Sequence, residues 1–498
     1  MMSEILKRAR EYELAHEQDI LPQERPVFHL SPRVSWLNDP NGFSWYNGRY
    51  HLFYQYHPYS SIWGPMHWGH AVSKDLLHWE YLPAIMAPDT ECDSFGVFSG
   101  TAEVLPDGRQ ILMYTGVRKE KTEVKGKFKE YQVQCIATGD GLNYEKYEGN
   151  PVLTGADIPA GSSTSDFRDP KIWRKSDGTY ACIATNRDAS GSAQLLLYTS
   201  PDGFHWTFKK IFFANNWRFG NMWECPDYTE CDGKWLLFSS PMELEAMGTE
   251  YPNGRSCMCL IGSYDEQTDT FTEEHDQIVD SGIDFYASQT MKAPDGRTIM
   301  VGWMANWDVC EFRQPKEKWY GMMTLPRELS VREGRLYQAP VRELEQLRTN
   351  PVIHQDATVD GKMTLDGVRG RCADLVMTIR PGADTKAFTI RFAENEKHHV
   401  SLTWCPEEGV VKLDRRFSGS RQGTIHRREC QVGHQEELKI RLVLDRFSAE
   451  AFIGEGERTM TATFFTEQTA DGISFESLGA SVLTVEKYDL EENNHEEV

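Results

Sequence analysis

Asp75-Leu76-Leu77-His78-Trp79 is the first of four related segments that set the architecture of this 498-residue chain. Asp140-Gly141-Leu142-Asn143-Tyr144 and Asp202-Gly203-Phe204-His205-Trp206 repeat it, and a looser copy runs from Asp265 to Phe271. The leading aspartates stand 65, 62 and 63 residues apart. Each copy follows a short β-type run: Trp68 to Val72, Gln134 to Thr138, Leu195 to Thr199 and Met258 to Ser263. Each carries turn formers at its head and an aromatic residue that opens the next strand. A fixed period holding several short strands is the pattern of a β-propeller, one blade per repeat. Residues 25–340 hold five such periods.

Outside that span the texture differs. Residues 1–24 predict a helical extension, with Ile5, Leu6, Ala9 and Tyr12 on one face. Residues 341–351 predict a linker helix in which Leu344 and Leu347 point inward. From 352 to 498 strands resume without the period; Val400 to Trp404, Glu437 to Asp445 and Glu450 to Ile453 alternate apolar and polar residues, with turns such as Gly454-Glu455-Gly456. The expected fold is all-β: a five-bladed β-propeller followed by a C-terminal antiparallel β-sandwich.

Composition narrows the function classes. A net charge of −22 and a sequence pI near 5.2 exclude nucleic acid and anionic membranes as expected partners. One exception is the basic stretch Arg118, Lys119, Lys121, Lys125, Lys127 and Lys129, read as a solvated hairpin or a phosphate-attracting rim. The tail from Asp489 to Val498 is acidic and is expected to be solvated. Eleven scattered cysteines, no apolar run of membrane length and no apolar leader segment point to reduced thiols and a cytoplasmic location. Neither the cysteines nor His67-Trp68-Gly69-His70 form a metal-ligand pattern, so no metal is expected.

Three carboxylates stand out. Trp36-Leu37-Asn38-Asp39-Pro40-Asn41-Gly42, Phe167-Arg168-Asp169-Pro170 and Trp223-Glu224-Cys225-Pro226-Asp227 each place an acid among aromatic and turn-forming residues, which reads as three tight turns. Asp39, Ser99, Asp169, Glu224 and Tyr286 fall at a similar phase of the repeat, one per blade, and should ring one mouth of the propeller channel. Glycosidic cleavage needs one carboxyl to protonate the leaving oxygen and a second to attack the anomeric carbon or activate water. Asp39, short and fixed by its backbone, suits a nucleophile. Glu224, between Trp223 and the Cys225-Pro226 corner, suits a general acid whose proton is held by apolar surroundings. Asp169 is expected to stay ionised beside Arg168 and to bind sugar hydroxyls. Trp36, Trp63, Phe98, Trp223 and Trp303 are candidate walls.

These residues resemble glycoside hydrolase family 32, the invertase-like β-fructofuranosidases. The resemblance covers nearly the whole chain: residues 36–42, Phe53-Tyr54-Gln55-Tyr56, His67-Trp68-Gly69-His70, Phe98-Ser99-Gly100, Tyr114-Thr115-Gly116, 167–170, 223–227, Asp284-Phe285-Tyr286-Ala287, Gly302-Trp303-Met304 and Thr324-Leu325-Pro326-Arg327-Glu328-Leu329. Asp445-Arg446-Phe447-Ser448 and Glu450-Ala451-Phe452 resemble the family's sandwich signature. Ala305 stands where many relatives carry glycine. The resemblance implies a retaining double displacement at fructose C2, with Asp39 as nucleophile, Glu224 as acid/base and Asp169 as transition-state stabiliser. It also implies a fructose pocket of Asn38, Gln55, Trp63, Phe98, Ser99, Arg168, Tyr286 and Trp303. The expected substrate is sucrose or sucrose 6-phosphate. The alternatives are an exo-acting fructanase on short fructo-oligosaccharides, a fructosyltransferase and a non-catalytic sugar-binding protein. The sandwich is a candidate for sugar binding or a homodimer contact.

Overall fold

The computed structural model describes residues 2–122, 124, 126–310, 318–419 and 425–491. Five antiparallel sheets follow in chain order. Blade I comprises Ser35–Tyr46, Arg49–His57, His67–Ser73 and Trp79–Met86, and blade II comprises Gly96–Val104, Gln110–Lys121, Phe128–Gly139 and Tyr144–Lys146. Blade III comprises Phe167–Arg174, Tyr180–Arg187, Ala193–Ser200 and Thr207–Ala214. Blade IV comprises Met222–Cys231, Lys234–Met242, Met258–Asp265 and Thr270–Ile278. Blade V comprises Tyr286–Lys292, Thr298–Trp303, Arg327–Arg332 and Arg335–Pro340. The first strand of each blade packs on the first strand of the next, and that of blade V packs on that of blade I. The ring is closed. A two-residue strand, Trp319–Tyr320, also pairs in parallel with the start of Ser35–Tyr46, tying the blade V insertion to blade I.

Local chemistry explains the repeat. Asp75 Oδ1 accepts from the Leu77 and His78 amides at 3.0 and 2.9 Å, and Asp202 Oδ1 from Phe204 and His205 at 2.8 and 2.9 Å. Asp140 Oδ1 does the same with Leu142 and Asn143 at 3.0 and 2.8 Å. Each aspartate closes its own Asx turn into the outer strand of its blade. Middle strands are covered on both faces by neighbouring blades, so apolar runs replace alternation: Ala181 to Ala184 and Leu195 to Tyr198 are fully buried.

The N-terminal helix spans Glu4–His16, capped by the Ser3 hydroxyl, which accepts from the Leu6 amide at 3.1 Å. Leu6 and Ala9 are buried, but Ile5 is exposed; Glu13 takes the inward position instead, accepting from the Ala84 amide at 3.1 Å. The segment Arg342–Leu347 is a 3-10 helix with Leu344 and Leu347 buried. Beyond it, strands form two layers joined by two long strands, Arg348–Met363 and Gly472–Leu490, which cross from one layer to the other. The second of these turns at Gly479, whose φ of +89° and contact with the Asp384 carbonyl leave no room for a side chain. Asp489 and Leu490 belong to this strand; residues 492–498 of the acidic tail lie outside the described residues.

Propeller and sandwich meet at a buried ion network. Arg327, fully buried, donates to Glu450 at 2.5 and 3.0 Å and to Asp280 at 3.1 Å. His29 bridges Asp445 at 2.7 Å and Glu450 at 2.9 Å. Arg415 binds Asp284.

Candidate active site

The five equal-phase residues all lie in first strands, each at a break in the ladder to the second strand. The breaks fall between Leu37 and Pro40, Val97 and Gly100, Arg168 and Lys171, Glu224 and Asp227, and Tyr286 and Gln289. The three predicted turns are therefore β-bulges inside strands. Pro170 and Pro226 fall in the unpaired steps, where a missing N–H costs no ladder bond. Turn-forming residues suit a bulge for the same reason they suit a turn. Asp169, Cys225 and Ala287 adopt positive φ of 57°, 47° and 54°, a strained conformation for residues with a Cβ and one that clusters at functional sites. Gly100, of the Phe98-Ser99-Gly100 segment, approaches the blade II second strand so closely that a Cβ would sit 2.0 Å from the Met113 carbonyl oxygen.

The bulges bring the three acids together around Cys225. Its amide donates to Asp169 Oδ2 at 2.9 Å, and its Sγ lies 3.6 Å from Asp39 Oδ2. Ser99 Oγ donates to the same Asp39 oxygen at 3.1 Å. Glu224, the next residue along, accepts from Arg168 Nη2 at 3.2 Å and from Tyr286 Oη at 2.8 Å. Arg168 also stands 3.2 Å from Asp166 and 3.8 Å from Asp169. One guanidinium thus serves several carboxylates. Thr115 Oγ1 accepts from the Asp169 amide at 2.8 Å and donates to Gln134 at 2.9 Å, fixing the acid from behind.

Burial, and then the nearby charge of Glu224, push the Asp39 carboxyl up to about 6. Asp169 is pushed up to about 7: burial raises it, Arg168 opposes, and Glu224 adds to the rise. The expectation that Arg168 alone keeps Asp169 ionised is thus corrected. Nor is Glu224 enclosed by apolar groups, because Arg168 and Tyr286 occupy its two oxygens. Asp39 Oδ1, Arg168 Nε and Trp303 Nε1 are buried and have no hydrogen-bond partner among the described residues.

Residues 29–340 match the glycosyl hydrolases family 32 N-terminal domain, and residues 343–491 match the family 32 C terminal domain. The chain belongs to glycosyl hydrolase family 32. It is 35% identical to a raffinose invertase of Escherichia coli, covering 92% of this chain and 93% of that protein. It is 34% identical to a sucrose-6-phosphate hydrolase of the same organism, covering 92% and 93%. The solved GH32 beta-fructofuranosidase of Bombyx mori superposes with a TM-score of 0.82 at 35% identity, over 97% of this chain and 98% of that one.

Within this family 32 propeller the remaining predicted pocket residues are distributed unevenly. Asn38 Oδ1 accepts from the Trp36 indole at 2.8 Å, and Gln55 Nε2 donates to the Val97 carbonyl at 3.0 Å. Trp63 is partly exposed, with ring centroids 6.2 Å from those of both Phe95 and Phe98. Trp303 is buried against Trp36 and Trp307. Trp223 is no wall: it is fully buried in the core between blades III and IV, its indole donating to the Phe219 carbonyl at 2.8 Å. Trp36 is likewise nearly covered, stacked on Tyr320 with centroids 4.6 Å apart.

Sequence reading missed Cys225, Thr115 and Arg255. Arg255 pairs with Asp308 at 2.7 Å, and the charges of Tyr286 and Glu224 act on its guanidinium. Cys225 and Thr115 lay inside recognised motifs; Arg255 had no local signal. The eleven cysteines form no disulfide among the described residues. Among the described residues no cluster of His, Cys, Asp and Glu could hold a metal ion, and no helix is long and apolar enough to cross a membrane.

Proposed function

We propose that this family 32 enzyme is a retaining β-fructofuranosidase that hydrolyses the terminal non-reducing β-D-fructofuranoside of sucrose or sucrose 6-phosphate. The observation that carries the roles is the position of Cys225, which joins Asp39 to Asp169 while Glu224 stands beside it. Asp39 attacks fructose C2 and forms a covalent fructosyl ester. Glu224 gives its proton to the departing glycosidic oxygen, then takes one from water as that water attacks C2 and frees Asp39. Asp169 binds the fructose hydroxyls. The unpartnered Asp39 Oδ1, Arg168 Nε and Trp303 Nε1 await polar groups such as a furanose supplies. Asn38, Gln55, Ser99 and Tyr286 complete the polar lining; Trp63 and Phe98 supply apolar walls. The chemistry needs no cofactor.

On this reading residues 25–340 form the catalytic domain, 1–24 a helical extension, 341–351 a linker and 352–498 the sandwich. Free thiols and a small imported substrate favour a cytoplasmic enzyme, and the sandwich is the proposed site of any homodimer contact. The substrate test is kcat/KM on sucrose, sucrose 6-phosphate and 1-kestose side by side; preference for 1-kestose by tenfold or more would favour the fructanase instead. Glu224→Gln tests the acid. It should lose roughly 10²–10⁴-fold in kcat on a poor leaving group and far less on an activated one. Equal losses on both would remove Glu224 from that role.

A further inference from the structure

The basic stretch of blade II has a position that the hydrolytic machinery does not use. Gly96 and Val97 pair with Val117 and Gly116, and Ser99 lies two residues further along the same inner strand. The partner strand therefore ends at the catalytic mouth, and its continuation through Lys121 stands at the rim. Lys121 pairs back to Phe128, so Arg118, Lys119, Lys121, Lys127 and Lys129 all belong to this projecting hairpin; Lys125 lies outside the described residues. An aromatic path leads from the pocket to the hairpin. Phe98 packs on Trp63, Trp63 on Phe95, and Lys119 Nζ sits 3.4 Å over the Phe95 ring centroid.

We propose that Lys119 is a specificity-determining residue that binds the phosphate of a 6-phosphorylated leaving sugar. This rests on the β-fructofuranosidase reading above. Fructose bound among Asp39, Asp169 and Glu224 directs its leaving group outward past Trp63, towards the rim that Lys119 occupies. The ammonium is placed by its aromatic platform, a favourable cation–π geometry. Its carboxylate neighbour Glu130 is 3.5 Å away, a loose pair between groups that are about one-third exposed, so a dianion can compete for the charge. Arg118, the preceding residue of the strand, turns to the other face, over Tyr131 and 3.2 Å from Glu120, which leaves Lys119 as the cation on the Phe95 side. In a chain of net charge −22 the general field repels a phosphorylated sugar, so a local basic rim is what would admit it.

The test compares the ratio of kcat/KM on sucrose 6-phosphate to that on sucrose for the wild type, Lys119→Gln, Lys119→Arg and Arg255→Gln. The wild-type ratio should be ten or more. It should fall at least tenfold in Lys119→Gln, recover in part in Lys119→Arg, and drop as salt rises wherever position 119 keeps its charge but not in Lys119→Gln. A wild-type ratio near one, or one that survives Lys119→Gln, would overturn the assignment while leaving fructoside hydrolysis intact. A ratio lost only in Arg255→Gln would overturn it too, moving the phosphate to the Arg255–Asp308 side. Failure of the wild type to release fructose from either sugar would remove the function reading itself, and this inference with it.

Discussion

The catalytic mouth and the propeller–sandwich seam are both built from buried carboxylates, yet their charges are arranged in opposite ways. At the seam Asp280, Asp284, Asp445 and Glu450 face Arg327, Arg415 and His29. Burial alone would raise Asp445 and Glu450, but His29 and backbone amides carry Asp445, and Arg327 with His29 carries Glu450, below the usual carboxylate range. At the mouth Arg168 serves Asp169 and Glu224 while Asp39 meets the neutral Ser99 and Cys225, and both aspartates end above that range. The seam is matched for stability, and the mouth keeps an excess of negative charge that a developing positive centre at C2 would relieve.

Substitutions should break this contrast in opposite directions. Asp39→Asn removes the proposed nucleophile, and kcat should fall on the order of 10⁴-fold or more. It also removes a buried, underpaired charge, so the melting temperature should rise at neutral pH. A lower melting temperature would show that Asp39 is matched like the seam acids. Arg327→Met should do the reverse, costing about 3–5 kcal/mol in denaturant unfolding because it leaves Glu450 and Asp280 buried without their cation. A loss under about 1 kcal/mol would mean that water already reaches the seam.

Titration sharpens the same contrast. Burial would lower His29, but Asp445 and Glu450 outweigh it and raise it to about 9, from 6.5 in the unfolded chain. Its contribution to stability is then complete below pH 6.5 and is lost as pH rises through about 9. The mouth responds at the acid end. Its nucleophile must be ionised, so kcat/KM should fall as pH drops through about 6. Meanwhile protonating Asp39 between pH 6 and its unfolded value near 3.8 favours the folded state. Melting curves and initial rates across pH 4–10 check both ends. An alkaline loss of rate without loss of stability would move the high-pH group to the mouth.

The two regions were unequally legible in the sequence. The blade period was readable because each outer turn is closed by its own aspartate within three residues, as at Asp75 and Asp202. Blade V carries no copy, since its last hairpin turns at Glu333 and Gly334, yet the period still gave its place. The bulges were read as turns because Asn, Asp, Pro and Gly answer both needs, and only strand register separates them. Pairings across blades left no local mark. Arg168 reaches Glu224, 56 positions away, rather than serving chiefly its neighbour Asp169. Trp223 looked like a pocket wall because its neighbours are catalytic in kind, but successive strand residues face opposite sides, so an acid facing the channel turns its neighbour into the core.

The smallest effect we expect concerns how an acid is held when cations are scarce. Asp169 is fixed by neutral donors and acceptors: the Cys225 amide on its carboxylate and Thr115 Oγ1 on its own amide. Thr115→Val keeps the volume but strands the Asp169 amide and the Gln134 oxygen, at a cost of about 1–3 kcal/mol in stability. If that amide bond sets the position of the carboxylate, kcat should fall roughly 5–50-fold with the acid limb displaced, because a shifted Asp169 changes the field on Asp39. Thr115→Ser should restore both rate and pH profile. If Thr115→Val lowers stability but leaves the profile in place, the strained backbone at Asp169 is held by the bulge alone, and the mouth is more rigid than its sparse pairing implies.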